Sequence, residues 1–372
     1  MKSILPDQYA VEKQFNSRVD NFFAKYEISK KLRCCNFQKT KGFSCLEIFK
    51  FIFLLVFSAK NLYRTLQSEA DSGMPQKDTI YRFLNSCRYN WRKFLLTLSS
   101  TIIKETIEPL KPHSWKNVLI LDDSLYSRNR SKAVELLARV RDHVEHKYVL
   151  GFRMLTLGWS DGNTFLPVAF SLLSSENEHN RLCGINQRLD KRTTGYKRRM
   201  ESIKKSTEVM FDLLRQAQEH GIKARYLLFD SWFAFPAIIC KVREHHLHVI
   251  CMLKSMKKVL YTYKGEKMNL DTLYKELLKK PGRAKILANA FVVIGNDSNG
   301  NPVTARILFV RDRNRSKKWL ALLTTDLELT DEEIIQIYGK RWNIEVFFKT
   351  TKSFLNLAKE FQGRSYDSMV AH

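Results

Sequence analysis

Two apolar runs that end in aspartate, Asn117-Val-Leu-Ile-Leu-Asp122-Asp123 and Ala224-Arg-Tyr-Leu-Leu-Phe-Asp230, constrain this chain most. Four apolar residues in succession, bounded by polar ones, fit a short strand covered on both faces, as in a sheet flanked by helices. Each run therefore predicts a buried strand with a carboxylate where the chain leaves the core. Between them, Lys147 to Gly158 and Thr164 to Phe170 flank the turn Ser160-Asp-Gly-Asn163 and predict a hairpin. A basic loop with Lys191, Arg192, Lys197, Arg198 and Arg199 leads into a helix ending near His220-Gly221. A helix from about Pro236 returns to His248-Val-Ile-Cys-Met252. Residues 112–253 thus read β, β, β, α, β, α, β.

Residues 1–110 carry apolar positions at three- and four-residue spacing without alternation, which predicts a helical region. Within it, Asp78 is placed to cap a short helix, with Arg88, Arg92 and Lys93 just beyond, as in a helix that enters a DNA groove or in a solvated basic helix. Residues 254–328 turn β-rich, with candidate strands at Lys258–Tyr263, Ala290–Ile294, Thr304–Val310 and Trp319–Leu323, and read as an insertion domain. Residues 329–372 then form the last helical segment of the core.

The chain has 372 residues, with 63 Lys and Arg against 38 Asp and Glu, a formal net charge of +25. Such an excess, spread along the chain, favours a polyanionic partner, nucleic acid first. A membrane span is not predicted, because the longest apolar run, Ile48 to Phe57, is interrupted by Lys50 and is too short to cross a bilayer. Met1-Lys-Ser-Ile-Leu-Pro6 does not read as a signal peptide, and a cytoplasmic protein is expected. The seven cysteines form no Cys-x-x-Cys pair and read as reduced, mostly buried thiols. His245-His246-Leu-His248 and His143-x-x-His146 lack the companion ligands of a zinc site.

The strongest local signal lies near the carboxyl end. Thr330-Asp-Glu-Glu333 has the form of a capping box and opens an apolar-periodic helix. At roughly 100° per residue, Tyr338, Arg341, Glu345, Lys349 and Lys352 fall within an arc of about 80°. Glu345 is the only carboxylate between Glu333 and Glu360. One carboxylate among cations, beside the apolar positions Ile337, Ile344, Phe348 and Leu355, suits a metal ligand flanked by phosphate-binding side chains.

Acids at the ends of two neighbouring strands and a third on a helix packed beside them would converge on one patch. Hard oxygen ligands of this kind suit Mg²⁺ or Mn²⁺. A pair of ions roughly 3.5–4 Å apart can activate an attacking oxygen and stabilise a leaving one in phosphoryl transfer.

These residues resemble the DDE transposases of bacterial insertion sequences, in the group marked by Tyr-x2-Arg-x3-Glu-x6-Lys. Tyr338, Arg341, Glu345 and Lys352 match that spacing at all four positions, and Trp342 and Lys349 also look familiar for it. The resemblance implies a ribonuclease H-like α/β catalytic core interrupted by a β-rich insertion domain and preceded by an all-helical N-terminal, DNA-binding region. It implies that Asp122, Asp230 and Glu345 are the catalytic, metal-binding triad, holding two Mg²⁺ or Mn²⁺ ions in the family's manner. Asp123 is the alternative to Asp122: alternation sends the two to opposite sides of a strand, and Asp122-Asp-Ser124 resembles the family's Asp-x-Ser/Thr form. Tyr338, Arg341, Lys349 and Lys352 would contact DNA phosphates. In relatives that form hairpin-ended DNA a flipped base stacks on tryptophan, a role open here to Trp232 or Trp342, with core packing as the alternative. The implied partners are double-stranded DNA, both terminal inverted repeats and target, bound by a homodimer associated with the bacterial nucleoid. Family members usually continue with further helix past the equivalent of Asp367–His372, so a truncated carboxyl end is expected. The alternatives to a transposase are a nuclease of the same core that does not join strands and a non-catalytic remnant that only binds DNA.

Overall fold

The computed structural model describes residues 8–57, 62–68, 73–110, 112, 115–142, 145–280, 284–312, 318–359 and 363–372. His143 lies outside them. The amino-terminal helices are α1 (Gln8–Lys25), α2 (Ile28–Cys34), α3 (Cys45–Phe57), α4 (Leu62–Ser68), α5 (Lys77–Leu84) and α6 (Trp91–Ile102). Then come β1 (Val118–Ser127), β2 (Ala138–Arg141), β3 (Tyr148–Ser160), β4 (Phe165–Leu173), α7 (Thr194–Ser202), α8 (Ser206–Glu219), β5 (Tyr226–Phe229), α9 (Pro236–Glu244) and β6 (His248–Leu253). The rest comprises β7 (Tyr261–Tyr263), β8 (Glu266–Met268), α10 (Leu270–Glu276), β9 (Ile286–Asn296), β10 (Pro302–Arg311), β11 (Trp319–Thr324), α11 (Asp331–Gly339), α12 (Trp342–Ser353) and α13 (Tyr366–Ala371).

The strands form one mixed sheet in the order β2-β3-β1-β5-β6-β11-β10-β9-β7-β8, with β4 also on β3. β1 runs antiparallel to β3 and parallel to β5, and β5 runs parallel to β6. Alternate residues of β1 serve opposite layers. Leu119 and Leu121 pack with α8 and α9, whereas Val118 and Ile120 pack with Ile334, Ile344 and Phe348 beneath the last helices. Both faces are therefore buried, which is why the strand reads as an unbroken apolar run.

Several elements differ from the expectations. The strands of 254–328 do not stand apart as a second sheet, because β11 pairs antiparallel with β6 and carries β10 and β9 outward from it. β2 was not predicted; its four residues are too few for alternation to register. The basic loop folds into α7 ahead of α8, and its Arg199 is buried. Asp78 lies in the first turn of α5, after Gln76 at the N-cap position. Arg92 turns inward, donating to Glu201 and to the Phe170 carbonyl of β4, and α6 packs on that strand through Ser99, whose hydroxyl donates to the Pro167 carbonyl at 2.7 Å.

The Thr330–Glu333 capping box is present as predicted. The helix it opens is interrupted, however, at Lys340 and Arg341. There the amides of Lys340 and Arg341 bond to the carbonyls three residues back, a tighter turn that resets the phase between α11 and α12. Among the described residues no helix is long and apolar enough to cross a membrane.

Candidate active site

The parallel register Ile120↔Leu228 carries Asp122 and Asp230 side by side, two residues further along; Asp230 follows the end of β5 as expected, but β1 stays paired with β3 as far as Ser127, so Asp122 lies in mid-strand and not where its strand ends. Equal offsets on strands about 4.8 Å apart bring both to the same face. Asp122 points toward α12 and accepts a hydrogen bond from the Arg341 guanidinium at 3.1 Å. Asp123 points away and forms an ion pair with Arg153 of β3, the only charged residue in that strand.

α12 is pinned at both ends. Lys340 Nζ donates to the carbonyls of Lys116 at 2.8 Å and Asp161 at 2.9 Å, and Asn343 Nδ2 donates to Ser160 Oγ at 3.0 Å. A side chain at Gly162, where φ is +114°, would put Cβ within 3.1 Å of Lys340, so glycine leaves room for that clamp. At the other end Lys352 Nζ donates to Ser124 Oγ at 2.5 Å. Ile344 and Phe348 hold the intervening turns in the core. Arg341 is thereby fixed between two carboxylates: it donates to Asp122 and, one helical turn on, to Glu345. Its guanidinium also lies over the Tyr338 ring, 5.9 Å from the centroid, and the Tyr338 hydroxyl is buried.

The electrostatics follow from crowding two acids into a desolvated corner. Burial and then the neighbouring Asp230 push the Asp122 carboxyl up to about 7, against the opposite pull of Arg341. Burial likewise raises Asp230, opposed by the Trp232 amide, which donates to its Oδ1 at 2.9 Å, and by Arg341. Burial lowers Lys352. Negative charge at the pair is thus only partly compensated, and its donors are hard oxygens, which fits a divalent cation. Among the described residues, however, no group of three or more His, Cys, Asp or Glu side chains converges at metal-binding distance. The third acid, Glu345, is engaged with Arg341 instead.

A cavity of about 530 Å³ opens over the pair, lined among others by Asp122, Asp123, Asp230, Trp232, Lys254 and Lys352. Sequence reasoning missed Arg153 and Lys254 here. A lone arginine inside the apolar strand Tyr148–Ser160 was the available signal for the first. Trp232 is 54% exposed and Trp342 62% exposed, so neither packs in the core. Trp342 and Lys349 lie on the outer face of α12, away from the cavity lining.

The family described as DDE superfamily endonuclease matches residues 54–269, and that described as Transposase DDE domain matches residues 204–371. No curated protein matches. Among solved structures, the chain is similar to the Drosophila P element transposase strand transfer complex at 12% identity, with a TM-score of 0.26. That match covers 71% of this chain, and the chain spans 55% of the matched one. With the first family match running over more than half its length, through both Asp122 and Asp230, the chain belongs to the DDE superfamily endonucleases.

Proposed function

We propose that this chain is a DNA transposase of the bacterial insertion-sequence group marked by Tyr338, Arg341, Glu345 and Lys352, with a ribonuclease H-like core. The observation that carries the reading is the in-register pair Asp122 and Asp230, crossed by a pinned helix that brings Arg341 and Glu345 beside them. The order β4-β3-β1-β5-β6, antiparallel then parallel, supports the core assignment. In this reading residues 1–110 bind DNA, 112–253 and 329–372 make up the core, and 254–328 extend its sheet.

Asp122 and Asp230 would hold Mg²⁺ or Mn²⁺, with Glu345 completing the set for two ions once Arg341 lets it go. Bound there, the ions would supply activation of the attacking oxygen and stabilisation of the leaving one. Asp123 stays outside the set because Arg153 neutralises it. Lys352 and Lys254 face the cavity and neutralise a phosphate seated over the aspartates, while the exposed Lys349 binds a flanking phosphate; Tyr338, its hydroxyl buried, backs the Arg341 guanidinium instead of meeting DNA. Trp232, at the cavity edge, and Trp342, on α12, are exposed enough to meet an unstacked base. The substrates are the terminal inverted repeats and target DNA, held by a homodimer in the cytoplasm at the nucleoid.

The test is cleavage of a labelled duplex carrying the element's end, with Mg²⁺ or EDTA, for the native chain and Glu345→Gln. Metal-dependent cutting lost in the variant, followed by joined products, is the expected result. Cutting without joining would identify a nuclease. Binding without cutting by either protein would identify a non-catalytic DNA-binding protein, a reading to which the Arg341–Glu345 pair lends weight.

A further inference from the structure

A second cavity, of about 1020 Å³, lies beyond the far end of β1. Its walls are the segment Ser127–Val134 and, from the chain after α12, Ala358, Lys359, Gly363 and Arg364. Five cations line it, Arg128, Arg130, Lys132, Lys359 and Arg364, and no acid does among the described residues. Elsewhere the inward-turned arginines have carboxylate partners: Arg92 has Glu201, Arg199 has Glu135 and Asp367, Arg306 has Asp331, and Arg341 has Asp122 and Glu345. Arg130, Lys132, Lys359 and Arg364 have no ion pair with any described residue. Two acids adjoin this cavity in sequence: Glu135 is engaged by Arg199 and by the Tyr366 amide, and Glu360 lies outside the described residues.

The walls are built rather than loose. Arg128 N–H donates to the Leu150 carbonyl at 2.7 Å, and Leu150 N–H donates to Asn129 Oδ1 at 2.8 Å. Glu135 N–H donates to the Arg364 carbonyl at 2.9 Å, tying the two walls together across more than two hundred residues. The hollow is far larger than one phosphate. It also shares β1 with Asp122: Ser127 is five residues beyond that aspartate, about 17 Å at 3.3–3.4 Å per residue. On a duplex with an axial rise of about 3.4 Å per base pair, that is roughly five base pairs.

We infer that this cavity grips the phosphodiester backbone of the duplex whose cleaved phosphate lies at Asp122 and Asp230, about five base pairs from the cut. Guanidinium and ammonium groups with nearby Ser and Asn side chains are the groups that bind phosphate oxygens without reading bases. The inference rests on the DNA-cutting role proposed above.

The experiment measures affinity against salt for the full chain and for a variant combining Arg130→Ala, Lys132→Ala, Lys359→Ala and Arg364→Ala. One duplex extends well past the cut on both sides, and another ends about three base pairs beyond it on the cavity side. Each lost phosphate contact lowers the slope of log K against log salt by about 0.9. The variant is expected to lose roughly 3–4 from its slope on the long duplex and to equal the native chain on the short one. The double variant Arg130→Lys with Arg364→Lys retains charge and should keep the native slope, and unchanged melting checks that the four-site variant is folded. An unchanged slope on the long duplex, or an equal loss on both, overturns the inference. So does a variant impaired only toward an added second duplex, which would make the cavity a separate target site. If the native chain neither binds nor cuts the long duplex, the proposed function fails first.

Discussion

Replacing Arg341 with methionine should weaken the metal-free fold and strengthen metal binding. The guanidinium donates to Asp122 at 3.1 Å and also to Glu345, and the side chains of Arg341 and Asp122 are each only 15% exposed. Hydrogen bonds to charged groups of this kind contribute about 1.5–3 kcal/mol. Protonation of Asp122, already pushed up to about 7, caps the cost of leaving it without its partner. With an unfolding entropy of roughly 2.1 cal/mol/K per residue, a loss of that size lowers the Tm by about 2–4 °C. The same 1.5–3 kcal/mol no longer opposes a cation that must take the Asp122 and Glu345 oxygens, so affinity should rise roughly ten- to a hundredfold. Titration calorimetry with Mn²⁺ in the absence of DNA, run beside thermal melts, reads both effects. Arg341→Lys, which keeps a positive charge but not the fork that spans two carboxylates, should fall between. Unchanged or weaker Mn²⁺ binding by Arg341→Met would refute the idea that the arginine and the metal compete for these oxygens.

Three further outcomes are expected. Arg199, 1% exposed between Glu135 and Asp367, should be the costliest arginine to remove: Arg199→Met leaves Glu135 without an ion-pair partner and Asp367 with Arg198 alone, and should destabilise by about 3–5 kcal/mol in urea unfolding, and a loss under about 1 kcal/mol would count against the network. Because the folded Asp122 carboxyl sits at about 7, above its ordinary 3.8, its protonated form favours folding, and that advantage, complete below about 4, is lost as pH rises through 7. Asp122→Asn should therefore leave stability nearly unchanged at pH 4 and raise it by roughly 2–4 kcal/mol by pH 8, with the lost Arg341 ion pair set against the gain; a pH-independent difference would contradict this. Trp342→Ala should stay within about 0.5 kcal/mol of the parent in stability, since the indole is 62% exposed, and leave metal-dependent nicking intact while lowering strand transfer; a collapse of folding would return Trp342 to a packing role.

What could be read from the residues was local. Helix and strand periods are fixed by backbone geometry, so the runs Val118–Leu121 and Tyr226–Phe229 announced buried strands, and Thr330 with Glu333 announced a helix start. The hairpin around Ser160–Asn163 was legible for the same reason. The break at Lys340–Arg341 was not, because it depends on the Lys340 amine reaching the carbonyls of Lys116 and Asp161. Nor was the merging of 254–328 into the main sheet, since a strand's own residues carry no mark of the partner it pairs with.

The sequence by itself determined which residues could carry the chemistry: two aspartates that close apolar runs, a glutamate at helical spacing from arginine and lysine, and a strong excess of positive charge. Tertiary structure decided what those charges face. Of the basic residues, Arg92, Arg198 and Arg199 became struts against Glu201 and Asp367, Arg341 became a bridge between Asp122 and Glu345, and Arg130, Lys132, Lys359 and Arg364 were gathered around one hollow. Periodicity fixes the direction of a side chain relative to its own backbone. The partner it meets depends on where chain segments more than two hundred residues away come to rest.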